Sequence, residues 1–395
     1  MSKRRSRTRR RNITELINNK ATIIISLVVI VFLIIILGIM KLVNVQEQKK
    51  VAQEKQRIDE QVEEIYKDVN KEIDSLNEYK TNTIIRISAV GDILLGNNLK
   101  NYGKDYNDVF SDISKYLQDS DYTIGTYETN ITDENSKEFA KSVKNSGVNF
   151  VSLAHNHALD YGNSGLNNTN EYLKSIDMQT VGITGETPES RVNIQEIKGV
   201  KVAFLAYTYD NRKQGVNIFN EATAYEDLKY AKENAAVSIV MMHWGNVNTN
   251  EISSKQKEQA EYLVNNGADI IIGAHPSAVQ KMEIIKNQEG KDCFVAYSLG
   301  DYTSDFGTEN SNLELILNMQ IFVDKEGNAS IYKIDYTPVY MIDNGTKLKE
   351  NRFKILDMKK EISDYQTDKS NINKNVYEKL VRGVDRLNSI LSINK

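Results

Sequence analysis

Residues 84–92 read IIRISAVGD, and the way this stretch stops decides the architecture. It alternates into a β-strand and then breaks at Gly91-Asp92, a turn pair that carries a carboxylate. The same shape recurs along the chain. Apolar runs YTIGTYE (122–128), VNFVSLA (148–154), VAFLAYTY (202–209), SIVMMHW (238–244), DIIIGAH (269–275) and CFVAYSLGDY (293–302) are strand-like. Between them lie helical patterns such as EYLKSI (171–176) and SSKQKEQAEYLVNNG (253–267), the latter with Ser253 or Ser254 as cap and Gly267 as stop. Strands alternating with helices point to an α/β domain with helices covering the sheet. Residues 313–342, LELILNMQIFVDKEGNASIYKIDYTPVYMI, are nearly all strand pattern, with a turn at Glu326-Gly327-Asn328. A largely parallel sheet that finishes in an antiparallel set fits a sheet-on-sheet sandwich with helices outside. The tail from Phe353 to Asn394 reads as two amphipathic helices.

The start of the chain differs from the rest. Residues 1–20 hold eight Lys/Arg and one acid, Glu15, and residues 22–40, TIIISLVVIVFLIIILGIM, hold no charge. Nineteen helical residues span roughly 28 Å, close to a bilayer core of about 30 Å. The run is too long for a signal peptide, lacks a small-residue cleavage site, and has no cysteine for a lipid anchor, since the single cysteine is Cys293. An uncleaved single-pass anchor in membrane lipid is expected, with the basic segment 1–21 in the cytoplasm and everything after Lys41 outside. Residues 41–82 then read as a charged helical stalk. Val51, Ile58, Val62, Ile65, Val69, Ile73 and Leu76 recur mostly at spacings of three, four or seven, which fits either a coiled coil pairing two copies or an amphipathic helix lying on the following domain. The globular domain is expected over 83–345 and a helical segment over 346–395.

Composition removes some functions. The 50 basic and 54 acidic residues give a net charge of −4, and residues 1–20 contribute +7 of it, so residues 21–395 carry −11. An acidic exterior argues against nucleic acid as a partner. One cysteine excludes an intrachain disulfide, leaving core burial and metal as stabilisers.

Polar chemistry collects at the ends of the apolar runs. They finish in Asp92, in Glu128 and Asn130, in Asn156 and His157, in His243 and in His275. Of only four histidines in the chain, three end strands and the fourth, His155, adjoins one of them. In α/β sheets ligands sit outside the carboxyl ends of the strands, so these side chains can share one crevice. Imidazole nitrogen together with Asp, Glu and Asn oxygen suits Zn, Mn or Fe.

The segments AVGDILLG (89–96), YETNI (127–131), LAHNHALDYG (153–162), MMHWGN (241–246), GADIIIGAHPSAVQ (267–280) and YSLGDY (297–302) resemble, in order and spacing, the motifs of the CapA-type poly-γ-glutamate capsule synthesis family. The resemblance spans roughly Ile84 to Tyr302. It implies a relative of the calcineurin-like metallophosphoesterases, with a four-layer α/β/β/α sandwich and a two-metal site. It also implies a protein anchored on the outer face of a bacterial membrane and associated with making or exporting an anionic polyglutamate capsule. Carried over residue by residue, it makes Asp92 the first-motif ligand and Glu128 the acid that bridges two metals. Asn156, His243 and His275 become ligands of the second metal, and His157 a general acid or transition-state contact. His155 has no counterpart.

Three departures qualify this. The usual Asp-x-His motif here continues from Asp92 to Ile93 and Leu94, and Ser277 stands where a second histidine usually follows His-Pro. Asp301 replaces the usual Asn. A site holding one divalent ion well, and a second weakly or not at all, is therefore expected. Three functions follow. The first is a membrane-anchored accessory protein that handles an anionic capsule polymer, or serves its membrane synthase complex, through a reduced metal site. The second is an extracellular metal-dependent hydrolase of phosphoester or amide bonds in a wall or capsule polymer. The third is a metal-free scaffold, with the stalk as a route to a homodimer.

Overall fold

The first strand, β1 (Thr83–Ile93), is buried along most of its length, and its two faces feed two different cores. Ile85, Ile87 and Ala89 join one hydrophobic cluster, whereas Val90 and Ile93 join another. Val90 takes the opposite face by ordinary strand alternation, and a register shift between Ala89 and Asp92 brings Ile93 to that same face. The structure, a computed structural model, describes Leu27 and residues 82–102, 105–209, 215–304, 311–343 and 352–391. The chain divides into two units, Met1–Lys80 and Thr81–Lys395. The expected anchor at 22–40 and stalk at 41–82 lie outside the described residues, apart from Leu27 and Asn82. Among the described residues no helix is long and apolar enough to cross a membrane.

Beside β1 run β2 (Tyr122–Tyr127), β3 (Phe150–Ser152) and β4 (Gln179–Val181), all parallel to it. A second set begins with β5 (Asn193–Ile197), β6 (Val200–Thr208), β7 (Val237–His243) and β8 (Ile270–Ala274), and continues with β9 (Met282–Lys286) and β10 (Asp292–Ala296). Its order is β5-β6-β7-β8-β10-β9, with a parallel centre and antiparallel edges. The chain then returns to the first sheet as β11 (Asp301–Thr303), β12 (Leu313–Val323), β13 (Ala329–Asp343) and β14 (Phe353–Asp357). That sheet reads β14-β13-β12-β1-β2-β3-β4, with β11 alongside the end of β1.

Strands buried on both faces explain the near-continuous apolar runs. In β6, Val202, Phe204 and Ala206 face the first sheet across a shared core, and the Phe204 and Phe150 rings stand 4.3 Å apart. The alternate residues, Ala203, Leu205 and Tyr207, belong to a separate outer cluster. Helices cover the outer faces. Against the first sheet lie α1 (Glu134–Ser146) and α2 (Gly162–Ser175), through Phe139, Val143, Leu166 and Leu173. Against the second lie α3 (Glu221–Asn234) and α4 (Ser254–Asn265), through Leu228, Ala231, Leu263 and Val264. The architecture is thus four layers, α/β/β/α. Ser253 is the cap of α4, in a capping box with Gln256.

The tail departs from the sequence reading. Residues 353–357 are the edge strand β14, paired antiparallel to β13, not the start of a helix. The run FKILD is short, and its alternation of apolar and charged positions suits strand as well as helix. Two helices do follow, α5 (Met358–Gln366) and α6 (Lys374–Ile390). They are part of the sandwich rather than a separate segment: Met358, Leu380 and Leu387 are buried in the core between the sheets.

Candidate metal centre

Backbone bonds tie neighbouring strand ends to each other within each sheet. Glu128 N–H donates to the Ile93 carbonyl at 3.0 Å, Tyr209 N–H to the His243 carbonyl at 3.2 Å, and Trp244 N–H to the Ala274 carbonyl at 3.1 Å. At Gly91 a side chain is excluded, because an added Cβ would lie 1.9 Å from the Gly300 carbonyl oxygen. This close approach sets β11 against the end of β1, with Asp301 opposite Asp92 in register.

At this end of the two sheets Asp92, Glu128 and His243 come together, each offering one ligand atom, all within 4.8 Å of one another. Asp92 and His243 are 3% and 1% exposed. His243 Nε2 lies 2.5 Å from Glu128 Oε1 and 3.6 Å from Asp92 Oδ1. The His275 backbone N–H donates to Asp92 Oδ2 at 2.7 Å, while Asp92 Oδ1 has no hydrogen-bond partner. His243 Nδ1 and Asn156 Oδ1 are likewise buried and unpartnered. An unsatisfied buried carboxylate oxygen is costly and rare, so Asp92 Oδ1, beside Glu128 and His243, fits a group that would satisfy it. A divalent cation is such a group, and carboxylate, imidazole and amide are its ordinary donors. His275 and Ser277 also hold left-handed backbone, at φ 95° and 51°, a strain often kept where side chains or amides must be aimed.

The electrostatics agree with the donor set. Burial raises Asp92 well above the usual carboxylate range, and the nearby charges of Glu128 and Asp301 add to this. Burial also acts upward on Glu128. The His243 hydrogen bond and the charges of His243, His155 and His157 outweigh it, and hold the group at about 2. Burial lowers His155 to about 3, and burial with the neighbouring His243 lowers His275 to about 4. Those two imidazoles are therefore neutral at physiological pH, the state that can ligate a metal.

The remaining candidates occupy different places. The His275 ring centroid is 4.6 Å from that of His243, but its Nε2 is hydrogen-bonded to the Tyr209 hydroxyl at 2.7 Å. Its main chain reaches Asp92 while its imidazole is engaged elsewhere. His155 is buried, with its ring 6.1 Å from that of His243. His157 lies at the rim, its side chain 49% exposed and its Nδ1 2.8 Å from Asp160 Oδ2. The Asn130 amide fixes that turn by donating to the His157 carbonyl at 2.9 Å. Trp244 is buried beneath, its indole N–H bonded to the Tyr297 carbonyl.

Three residues that sequence reasoning did not select also belong here. Tyr209 ends an apolar run, as the selected residues do, and that position was its only signal. Asp301, noticed only as a departure, is pushed up to about 8 by burial and by the charge of Glu128. Glu314 lies in the apolar strand β12, where an isolated acid was the clue. One of its oxygens accepts the Gly91 N–H at 2.8 Å and the other has no partner.

Comparison with known proteins gives the site a lineage. Two curated relatives are similar. The capsule biosynthesis protein CapA of Bacillus anthracis is 31% identical over 263 residues, covering 58% of this chain and 62% of that protein. The PGA biosynthesis protein CapA of Bacillus subtilis (strain 168) is 24% identical over 277 residues, covering 64% and 72%. The match to the first thus spans less than two thirds of its length. Among solved structures, a 5'-nucleotidase from Candida albicans SC5314 aligns at TM-score 0.41 and 11% identity, over 80% of this chain and 61% of that one. The protein TT1561 of Thermus thermophilus aligns at TM-score 0.38 and 9% identity, over 64% and 98%. Neither similarity is high enough to carry an argument. The pattern of the family described as bacterial capsule synthesis protein PGA_cap matches residues 86–306, which include Asp92, Glu128, Asn156, His157, His243 and His275. A match over more than half of the chain, enclosing the whole strand-end cluster, makes this chain a member of the PGA_cap family of bacterial capsule synthesis proteins.

Proposed function

We propose that this chain works outside the cytoplasmic membrane in the synthesis or export of an anionic capsule polymer of the poly-γ-glutamate kind. Residues 22–40 hold it in the membrane, and its main tool is a divalent metal held by Asp92, Glu128 and His243. The observation that carries the reading is the convergence of those three side chains, with Asp92 Oδ1 buried and without a hydrogen-bond partner. When bound, the ion supplies a Lewis-acidic site for a carboxylate, phosphoryl or carbonyl oxygen of the polymer.

The chain's own groups prepare that site. Glu128 stays ionised and orients the His243 imidazole, and the His275 N–H fixes one Asp92 oxygen. Residues 21–395 carry −11 and would repel a polyanion, so an ion that offsets the charges of Asp92 and Glu128 is what admits one. The partners are the polymer itself or its membrane synthase complex.

A hydrolase is the second reading, and the pairing of His157 with Asp160 favours it. His157 Nδ1 is committed to the carboxylate, which leaves Nε2 of a half-exposed imidazole to exchange a proton with a substrate oxygen or nitrogen. The test is made in cells that need this chain for surface polymer. Glu128→Gln together with His243→Ala should abolish cell-bound polymer while immunoblots show unchanged protein in the membrane. Undiminished polymer would contradict the proposal. If His157→Ala alone matches the double variant, the hydrolase reading gains; if it is silent, the polymer-handling reading does.

A further inference from the structure

Where the first sheet ends at β4 and the second at β5, a cavity of about 380 Å³ opens between them. Small-molecule sites occupy roughly 300–1,000 Å³. Its walls come from β4, β5, α2 and the helical turn Pro188–Arg191, and none of the candidate metal ligands lines it. Cross-links fix these walls. Asn193 Nδ2 on β5 donates to the Thr180 carbonyl on β4 at 2.8 Å, and the Thr180 hydroxyl donates to Asn170 Oδ1 on α2 at 2.6 Å.

Both strands bring an open edge to the cavity, since β4 pairs only with β3 and β5 only with β6. Gln179 N–H donates to the Asn149 carbonyl and the Val181 carbonyl accepts from Leu153 N–H, so both residues turn to β3. The main chain of Thr180, between them, turns outward. The hairpin β5–β6 closes through Lys198 and Gly199, at φ 52° and 80°, which makes Ile197 and Val200 a hydrogen-bonded pair. Counting back by twos, Gln195 and Asn193 also bond to β6, and Ile194 turns its N–H and carbonyl outward. Thr180 and Ile194 both line the cavity. Its charges are divided. Arg191 is 8% exposed and is committed to Asp227 at 2.6 and 2.9 Å and to the Gly185 carbonyl at 3.0 Å. Lys174 and Glu189 are exposed in the lining, and among the described residues neither forms an ion pair.

One uncommitted cation, one uncommitted anion and open main-chain groups are the complement of a molecule with a carboxylate, an ammonium and an amide. We propose that this cavity binds an α-amino acid zwitterion, with its carboxylate on Lys174, its ammonium on Glu189 and an adjoining amide on the open edges at Thr180 and Ile194. A free amino acid with an amide side chain has this chemistry, and so does the amino-terminal unit of a γ-linked glutamate chain. Interior units of such a chain carry a carboxylate and an amide but no ammonium, so the cavity reads an end of the chain and not its length. The chain-end source rests on the polymer reading above; the zwitterion site does not.

The test uses the full chain, purified in detergent and kept in excess chelator so that the metal centre contributes nothing. Equilibrium dialysis measures binding of radiolabelled L-glutamine and of tri-γ-L-glutamate, each with its amine free and acetylated. A free-amine probe should bind at one molecule per chain, and acetylation should weaken it at least about tenfold, as loss of a charged hydrogen bond does. Lys174→Ala should weaken it by a similar factor, and Glu189→Gln should erase the difference between free and acetylated forms. Both side chains are exposed, so both variants should keep the wild-type helix content. Tighter binding of the trimer assigns the site to chain ends, and equal or tighter binding of glutamine assigns it to the free amino acid. No binding of either free amine, equal binding of the acetylated forms, or wild-type affinity in Lys174→Ala would overturn the site. Metal content is measured separately, so such a failure leaves the metal centre and the polymer reading standing.

Discussion

Tyr209 is a small residue-scale feature with a direct consequence. Its hydroxyl holds His275 Nε2 at 2.7 Å, and its ring lies 4.9 Å from the imidazole. For His275 to serve a metal through Nε2, that bond must be given up, so the hydroxyl competes with the ion. A neutral hydrogen bond contributes about 1 kcal/mol net, so Tyr209→Phe should tighten metal binding about fivefold. Competition against a chromophoric chelator reads this directly; weaker or unchanged binding would mean that His275 contributes only its main-chain N–H. At this scale the sequence was readable where a polar residue ended an apolar run. Asp92, Glu128 and His243 announce themselves in that way. Glu314 does not, because it lies within β12 and reaches the site only through the Gly91 backbone. The engagement of His275 with Tyr209 was also hidden, since no spacing in a sequence shows which partner an imidazole takes.

At the scale of elements, a polar cap can be tested without touching the site. Asp133 caps α1, accepting the Ser136 N–H at 2.9 Å, and pairs with Lys100 at 2.6 Å. The Lys100 bond and then the Ser136 amide lower its carboxyl from 3.8 to about 2. A carboxyl held low in the folded state stabilises above its unfolded value, and that contribution is lost as the pH falls through the folded one. Asp133→Ala should therefore cost about 1 kcal/mol at pH 7, the usual worth of a cap. The deficit should stay constant down to about pH 5, shrink from pH 4, and vanish near pH 2. Urea midpoints of both proteins from pH 7 to pH 3 would show it; an unchanged gap at pH 3 would place the stabilisation elsewhere. The elements themselves were largely legible, because strands sandwiched between layers must be apolar on both faces. The short strands β4, β5 and β9 were not singled out, and β14, read as helix, is five residues long and at an edge. There only pairing with β13 decides between strand and helix, and pairing is not local information.

For the whole molecule, the two sheets matter because each supplies part of the site. Asp92 and Glu128 come from the first sheet and its following loop, and His243 and His275 from the second, so the candidate ligands come together only in the assembled sandwich. That division was implicit in the order of the motifs, whereas the convergence of Asp92, Glu128 and His243 shows only in the fold. The central claim is therefore the metal. Its most direct test is metal content, by plasma mass spectrometry, of the detergent-purified full chain beside a Glu128→Gln/His243→Ala double variant of equal helix content. The account predicts at least one divalent ion per wild-type chain and none in the variant. No metal in the wild type after incubation with Mn²⁺ or Zn²⁺, or equal metal in both proteins, would contradict it.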